Sequence, residues 1–189
     1  LLAWSSNNAV AVALGASVYL WNAKTGSTEE LMTLEGENDY VCSVEWMPGG
    51  THLAVGTAGA QTQLWDATVL KQVRSMNGHS DRISSLAWNQ HTLTTGSKDS
   101  SIVNHDVRIE NHHVATLAGH TQEVCGLKWS PDGTQLASGG NDNLLCIWDA
   151  AASSTSSGRQ GSRTQAPRFT LGEHQAAVKA LAWSPHERN

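Results

Sequence analysis

Gly119 to Asp149 reads GHTQEVCGLKWSPDGTQLASGGNDNLLCIWD, and the fold follows from how this stretch is built and how often it returns. Val124 to Trp129 alternates in the period of a half-buried strand. Ser130-Pro131-Asp132-Gly133 places Pro and Gly where a β-turn favours them. Gln135 to Gly139 is a second strand, Gly140-Asn141-Asp142-Asn143 a tight connection, and Leu144 to Trp148 a third strand. Val114 to Leu117 is the outer strand that precedes Gly119-His120. The closing pair Trp148-Asp149 has counterparts at Trp21-Asn22, Trp65-Asp66 and His105-Asp106, at intervals of 44, 40 and 43 residues. A second series, Trp4, Trp46, Trp88, Trp129 and Trp183, runs in phase with the closures. Self-similarity at about 40–45 residues ending in Trp-Asp is the signature of four-stranded β-propeller blades. The chain is therefore expected to be all-β, a propeller segment over 1–189 with blade closures near 21, 65, 105 and 148.

Such a scaffold displays surfaces, and composition narrows what they meet. The net charge is −5 and no basic stripe is interleaved with aromatics, so nucleic acid is not the expected partner. No run of 18 or more apolar residues is present, so no membrane-spanning helix is expected. Eight Trp against two Tyr and one Phe carry nearly all the aromatic burial. The three cysteines form no CxxC pair. Cys42 and Cys125 hold equivalent positions in two repeats, and all three are expected to be small buried side chains and free thiols rather than a metal site. Leu1 already lies in a strand-like run and Asn189 follows an inner-strand Trp closely, so a segment of a larger ring is expected.

The repeat resembles WD-repeat propellers, and that resemblance assigns His120, Ser138, Asp142 and Trp148 to one buried hydrogen-bond chain. An indole N–H needs an acceptor when buried, and a satisfied polar network specifies one geometry. A hydrolase triad is the competing reading of His120, Ser138 and Asp142. It loses because the same residue types recur at matching offsets as His79, Thr95 and Asp99. No catalytic residue, cofactor or metal is therefore expected. In the repeat closing at His105 an imidazole stands for the indole. In the repeat closing at Trp65, Glu37 replaces the His and Gly59 the Asp, and the first repeat has neither. Those two blades are expected to rely on hydrophobic contact.

One insertion departs from the spacing: 26 residues separate Trp148 from His174, against 14 and 15 between the equivalent earlier pairs. Arg168-Phe169-Thr170-Leu171 is the recognisable outer strand, so the excess lies in 150–167. That stretch is low in apolar residues and is expected to be a flexible loop. Its Ser and Thr beside Arg159 and Arg163 also suit phosphorylation.

Specific wording goes beyond the generic propeller. Leu2-Ala3-Trp4-Ser5-Ser6, Val10 to Leu14 and Val18-Tyr19-Leu20-Trp21 resemble the opening blade of the Fizzy family, the cell-division-cycle activators of the anaphase-promoting complex. His105-Asp106-Val107-Arg108 resembles the family's unusual blade ending. Gly119 to Trp129, Leu136 to Asn143 and Ala177 to Pro185 are close to family phrases. His112 to Leu117 leans toward Fizzy proper over its Fizzy-related paralogue. The resemblance implies a seven-bladed ring, of which about four blades are present. It also implies a substrate receptor that presents degron-bearing proteins to a ubiquitin ligase and is restrained by spindle-checkpoint proteins, in nucleus and cytoplasm.

The same resemblance implies site residues. The family's Asn-Asp-Asn turn contributes to binding the KEN degron, which places Asn141 and Asn143 there, with Tyr40 as a weaker companion on the same face. The alternative is that Asn merely tolerates the left-handed conformation of a tight turn. For the destruction box, the family sets an acidic residue just before the first-blade Trp. Here it is Ala3, so weak or absent destruction-box binding is expected. A third peptide groove, between the second and third blades, falls within the segment without assignable residues. A propeller scaffold without degron binding is the competing function.

Overall fold

The computed structural model describes residues 1–150 and 163–185. Its strands form four antiparallel meanders, each a blade, in chain order. Blade 1 is β1 (Leu2–Trp4), β2 (Ala9–Leu14), β3 (Ser17–Asn22) and β4 (Thr28–Thr33). Blade 2 is β5 (Val41–Trp46), β6 (His52–Thr57), β7 (Thr62–Asp66) and β8 (Lys71–Met76). Blade 3 is β9 (Ile83–Asn89), β10 (Thr92–Ser97), β11 (Ile102–Asp106) and β12 (His113–Leu117). Blade 4 takes β13 (Val124–Trp129), β14 (Gln135–Gly140) and β15 (Leu145–Asp149). A short β16 (Arg163–Gln165) follows, and β17 (Phe169–Leu171) is the outer strand of blade 4, paired with β15. The inner strands β1, β5, β9 and β13 touch one another in sequence.

Each blade buries its faces against its neighbours, so the core is a set of inter-blade layers. Val18, Leu20, Leu31, Val44, Trp46 and Leu53 fill the layer between blades 1 and 2. Leu64, Met76, Ile83 and Leu93 fill the next layer, and Ile102, Leu117, Val124, Leu136 and Trp148 the one after.

The second Trp series has a role that repeat counting alone does not reveal. The Trp46 indole donates to the Ala3 carbonyl at 3.0 Å, Trp88 to the Glu45 carbonyl at 3.2 Å, and Trp183 to the Lys128 carbonyl at 2.8 Å. Trp129 donates to Thr94 Oγ1 at 3.0 Å. Every one of these contacts reaches the preceding blade. The forward contact comes from hydroxyls: Ser43 donates to the Ile83 carbonyl at 2.7 Å and Ser85 to the Val124 carbonyl at 2.9 Å. Equivalent glycines in the second strands allow this approach. A Cβ on Gly96 would lie 2.5 Å from Ser85 Oγ and 2.7 Å from Val124, and Gly56 and Gly139 face the next blade in the same way.

Two expectations are corrected here. The 150–167 insertion is not uniformly loop, because Arg163–Gln165 pairs in parallel with β12 and adds a fifth strand to blade 3. Gln165 clamps that strand, its amide donating to the Asp149 carbonyl at 3.0 Å. Residues 151–162, which hold Arg159 and the Ser-rich run expected as a phosphorylation target, lie outside the described residues. Cys42 and Cys125 are half-buried rather than buried and line the groove along the inner strands; only Cys146 is fully buried.

Candidate functional site

Four residues of blade 4 form a directional chain. Trp148 Nε1 donates to Ser138 Oγ at 2.8 Å. An indole can only donate, so the Ser138 hydroxyl passes its own proton to His120 Nε2, 2.8 Å away. His120 Nδ1–H is then the donor to Asp142, at 3.0 Å from both carboxylate oxygens. Burial acts to raise the Asp142 carboxyl, but the backbone N–H of Thr121 and the His120 ring hold it below its ordinary range. The chain ends on a loop and carries no exposed nucleophile, and its burial assigns it to holding strands β14 and β15 to the loop before β13.

Blade 3 repeats the chain with an imidazole at its head. His79 bonds Asp99 at 3.0 Å and Thr95 at 2.8 Å, and Thr95 meets His105 Nε2 at 3.1 Å. His105 is fully buried and turns its other nitrogen to His112 Nδ1 at 2.8 Å. With His105 Nε2–H in the role of the indole, its Nδ1 is bare and accepts from His112. Burial, then the neighbouring His112, lowers the His105 pKa to about 2.

Blade 2 corrects the expectation of mainly hydrophobic support. Asp39, two residues after Glu37, accepts from the Gly59 backbone N–H at 2.9 Å. In blade 4 the acid sits on the strand turn and the N–H on the loop, with Thr121 donating to Asp142 at 2.8 Å. Blade 2 makes the same tie with donor and acceptor exchanged. Its Trp65 indole donates to Gln63 at 2.9 Å, and Gln63 in turn to Gln61 at 2.7 Å. Among the described residues, no buried side-chain nitrogen or oxygen lacks a partner.

A second set of polar groups gathers where the inner strands begin. Tyr40, Arg82 and Glu123 each stand six residues before the inner Trp of their blade. Their carbonyls accept from equivalent turn residues: Ala58 N–H to Tyr40 at 2.9 Å, Lys98 to Arg82 at 3.1 Å and Asn141 to Glu123 at 2.8 Å. The side chains join them across the blades. Arg82 Nε and Nη2 fork onto the two Glu123 oxygens at 2.7 and 2.6 Å, and the same guanidinium lies beside the Tyr40 phenol. Asn141 Nδ2 donates to Glu123 Oε2 at 3.3 Å, while its Oδ1 accepts from the Cys125 thiol at 3.2 Å. The Arg82 contact holds the Glu123 carboxyl below its ordinary range, and burial raises the Cys125 thiol, which keeps its proton for donation. A groove of about 400 Å³ opens beneath this rim along the inner strands.

Of the residues expected for KEN binding, Asn141 and Tyr40 therefore stand on the same rim. Asn143 is in the left-handed region, with φ 65° and its N–H on the Gly140 carbonyl at 3.2 Å. The turn requires that backbone whatever the side chain does. Ala3 lies on β1, where its carbonyl receives Trp46. Arg82 and Glu123 were not anticipated, although their register with Tyr40 in the repeat was a usable signal. Among the described residues, no three His, Cys, Asp or Glu side chains are placed to hold a metal ion.

The chain is 50% identical over 189 residues to the "Anaphase-promoting complex subunit cdc20" of Dictyostelium discoideum. It is 52% identical over 190 residues to "Cell division cycle 20.1, cofactor of APC complex" of Arabidopsis thaliana. All of this chain is matched in both cases, but only 36% and 40% of those relatives' lengths. A chain in the crystal structure of a mitotic checkpoint complex superposes with a TM-score of 0.90 at 46% identity, covering 99% of this chain and 53% of that one. The family model of the CDC20/Fizzy WD40 domain matches residues 1–189, and the chain belongs to that family.

Proposed function

We propose that this chain is the degron-binding part of an activator of the anaphase-promoting complex ubiquitin ligase. It acts in nucleus and cytoplasm, brings degron-containing substrates to the ligase subunits, and is restrained by spindle-checkpoint proteins. The observation that carries this reading is the rim where Asn141, Glu123 and Arg82 share one hydrogen-bonded network beside Tyr40, in a chain half identical to relatives named as a subunit and a cofactor of that complex. An amide offers donors and an acceptor to the polar side chains of an extended peptide. Ubiquitin transfer has no place in this chain's chemistry. The test is equilibrium binding of a fluorescent KEN-containing peptide. Asn141→Ala is expected to weaken it by about tenfold; equal affinity for both proteins would refute the assignment.

Ala3 supports a narrower degron range. A family-type carboxylate there would pair with a degron arginine, a charge-assisted contact of about 1.5–3 kcal/mol. Ala3→Asp is expected to strengthen binding of an Arg-containing destruction-box peptide by about tenfold or more. An unchanged affinity removes the pairing argument. A scaffold with reduced degron binding is the second reading, and Ala3 is the observation in its favour.

A further inference from the structure

Tyr40, Arg82 and Glu123 are neighbours only because the blades are stacked. Each immediately precedes the inner strand of its own blade, roughly 40 residues apart in sequence, and they stand in a row around the rim, with Arg82 bonded to Glu123 and beside Tyr40. Glu123 is 9% exposed, which is rare for a carboxylate unless it is paired. Its oxygens are committed to Arg82 and to the Asn141 amide, so its direct reach toward a ligand is small. Asn141 is different. Glu123 takes one of its Nδ2 protons and the Cys125 thiol occupies one lone pair of Oδ1. By donor inventory, one N–H and one lone pair remain, in a plane set by those two contacts. A carboxamide free to rotate would have to be ordered when a peptide binds, and prior ordering removes that cost.

We infer that Arg82 and Glu123 are positioning residues that hold the Asn141 carboxamide in the orientation in which it meets a peptide. The inference rests on the degron reading above. Arg82 supplies the fork that fixes Glu123, Glu123 selects which end of the amide faces inward, and Cys125 confirms the choice from the oxygen side. Arg82 stands beside Tyr40 of blade 2, and its fork onto Glu123 joins blades 3 and 4 into one preorganised surface.

The experiment measures binding of the KEN-containing peptide to the full chain for wild type, E123A, E123Q, N141A and the double variant E123A/N141A. It also records the Asn141 side-chain amide resonances by NMR without peptide. E123A is expected to weaken binding about fivefold to tenfold, the worth of one oriented hydrogen bond. E123Q keeps an acceptor and is expected to stay within about threefold of wild type. The double variant is expected to bind no more weakly than N141A, because Glu123 acts through Asn141. The two Asn141 amide protons, kept distinct in every variant by slow rotation about the C–N bond, are expected to lie further apart in chemical shift in wild type and E123Q than in E123A. Should E123A fail to fold, R82Q, which keeps Glu123 but weakens the fork that fixes it, takes its place. Additive losses in the double variant, a Gln variant as weak as the Ala variant, or an unaltered amide signal overturns the inference while leaving the degron reading intact. If wild type and N141A hold the peptide equally weakly, the degron reading falls first and the binding part of this inference falls with it.

Discussion

Acidification from pH 7 to pH 5 is expected to act on blade 3 through one buried ring. His105 is fully buried between Thr95 and His112, with His79, His113 and Arg74 as the other basic groups around it. Its Nδ1 already accepts a proton from His112, so protonating it would set two N–H groups head to head. Burial first, then these neighbours, lowers its pKa from 6.5 to about 2. The unfolded chain therefore binds more protons than the native one between those values, and stability rises with pH across that window. The contribution is complete above the ordinary value of 6.5 and is lost progressively as the pH falls below it. Between pH 7 and pH 5 this single group costs about 2 kcal/mol, from about 1.4 kcal/mol per unit once the unfolded imidazole is charged. His112 and His113 are lowered too, with burial as the leading cause, and add in the same direction. The assay is urea unfolding followed by Trp fluorescence at both pH values, for wild type and His105→Gln. Taking the difference between the two proteins cancels the titrating groups that do not touch His105. A wild-type-minus-variant difference that does not move with pH would show that the ring is not held neutral.

Two further changes probe how the blades are held. Gly96→Ala places a methyl against Ser85 and Val124 at the blade 3–blade 4 junction; a loss of about 1–3 kcal/mol is expected in the urea midpoint, and a neutral result would mean that the blades separate without cost. Ser138→Ala leaves the Trp148 N–H and His120 Nε2 without their shared partner; about 2–3 kcal/mol is expected, and a change under about 0.5 kcal/mol would refute the directional chain.

The architecture was legible because its signals are local and repeated. Trp-Asp closures, Pro-Gly turns and alternating strands recur in register, and comparison with WD-repeat propellers assigned His120, Ser138 and Asp142 to one chain without a structure. The same comparison failed where one blade solved the problem differently. Asp39 makes the loop-to-turn tie from the opposite side to Asp142, and no alignment of residue types at matching offsets finds an exchanged donor and acceptor. The insertion at 150–167 was legible in spacing and composition, but composition carries no information about a strand partner in another blade, so Arg163–Gln165 was missed.

The candidate site divides in the same way. Asn141 and Tyr40 were visible as residues, and the need of the Asn143 backbone for a left-handed turn was open in the sequence as an alternative. What joins Asn141 to Tyr40 was not visible, because Arg82 and Glu123 come from different blades and hydrogen-bond only when those blades stand side by side. The sequence alone thus determined the blade, which depends on short-range order repeated every forty-odd residues, and its specific wording carried the resemblances that gave the polar chain and the family. Only the tertiary structure decided which side chains meet at the rim, because the distance between equivalent positions is set by blade stacking and not by separation along the chain.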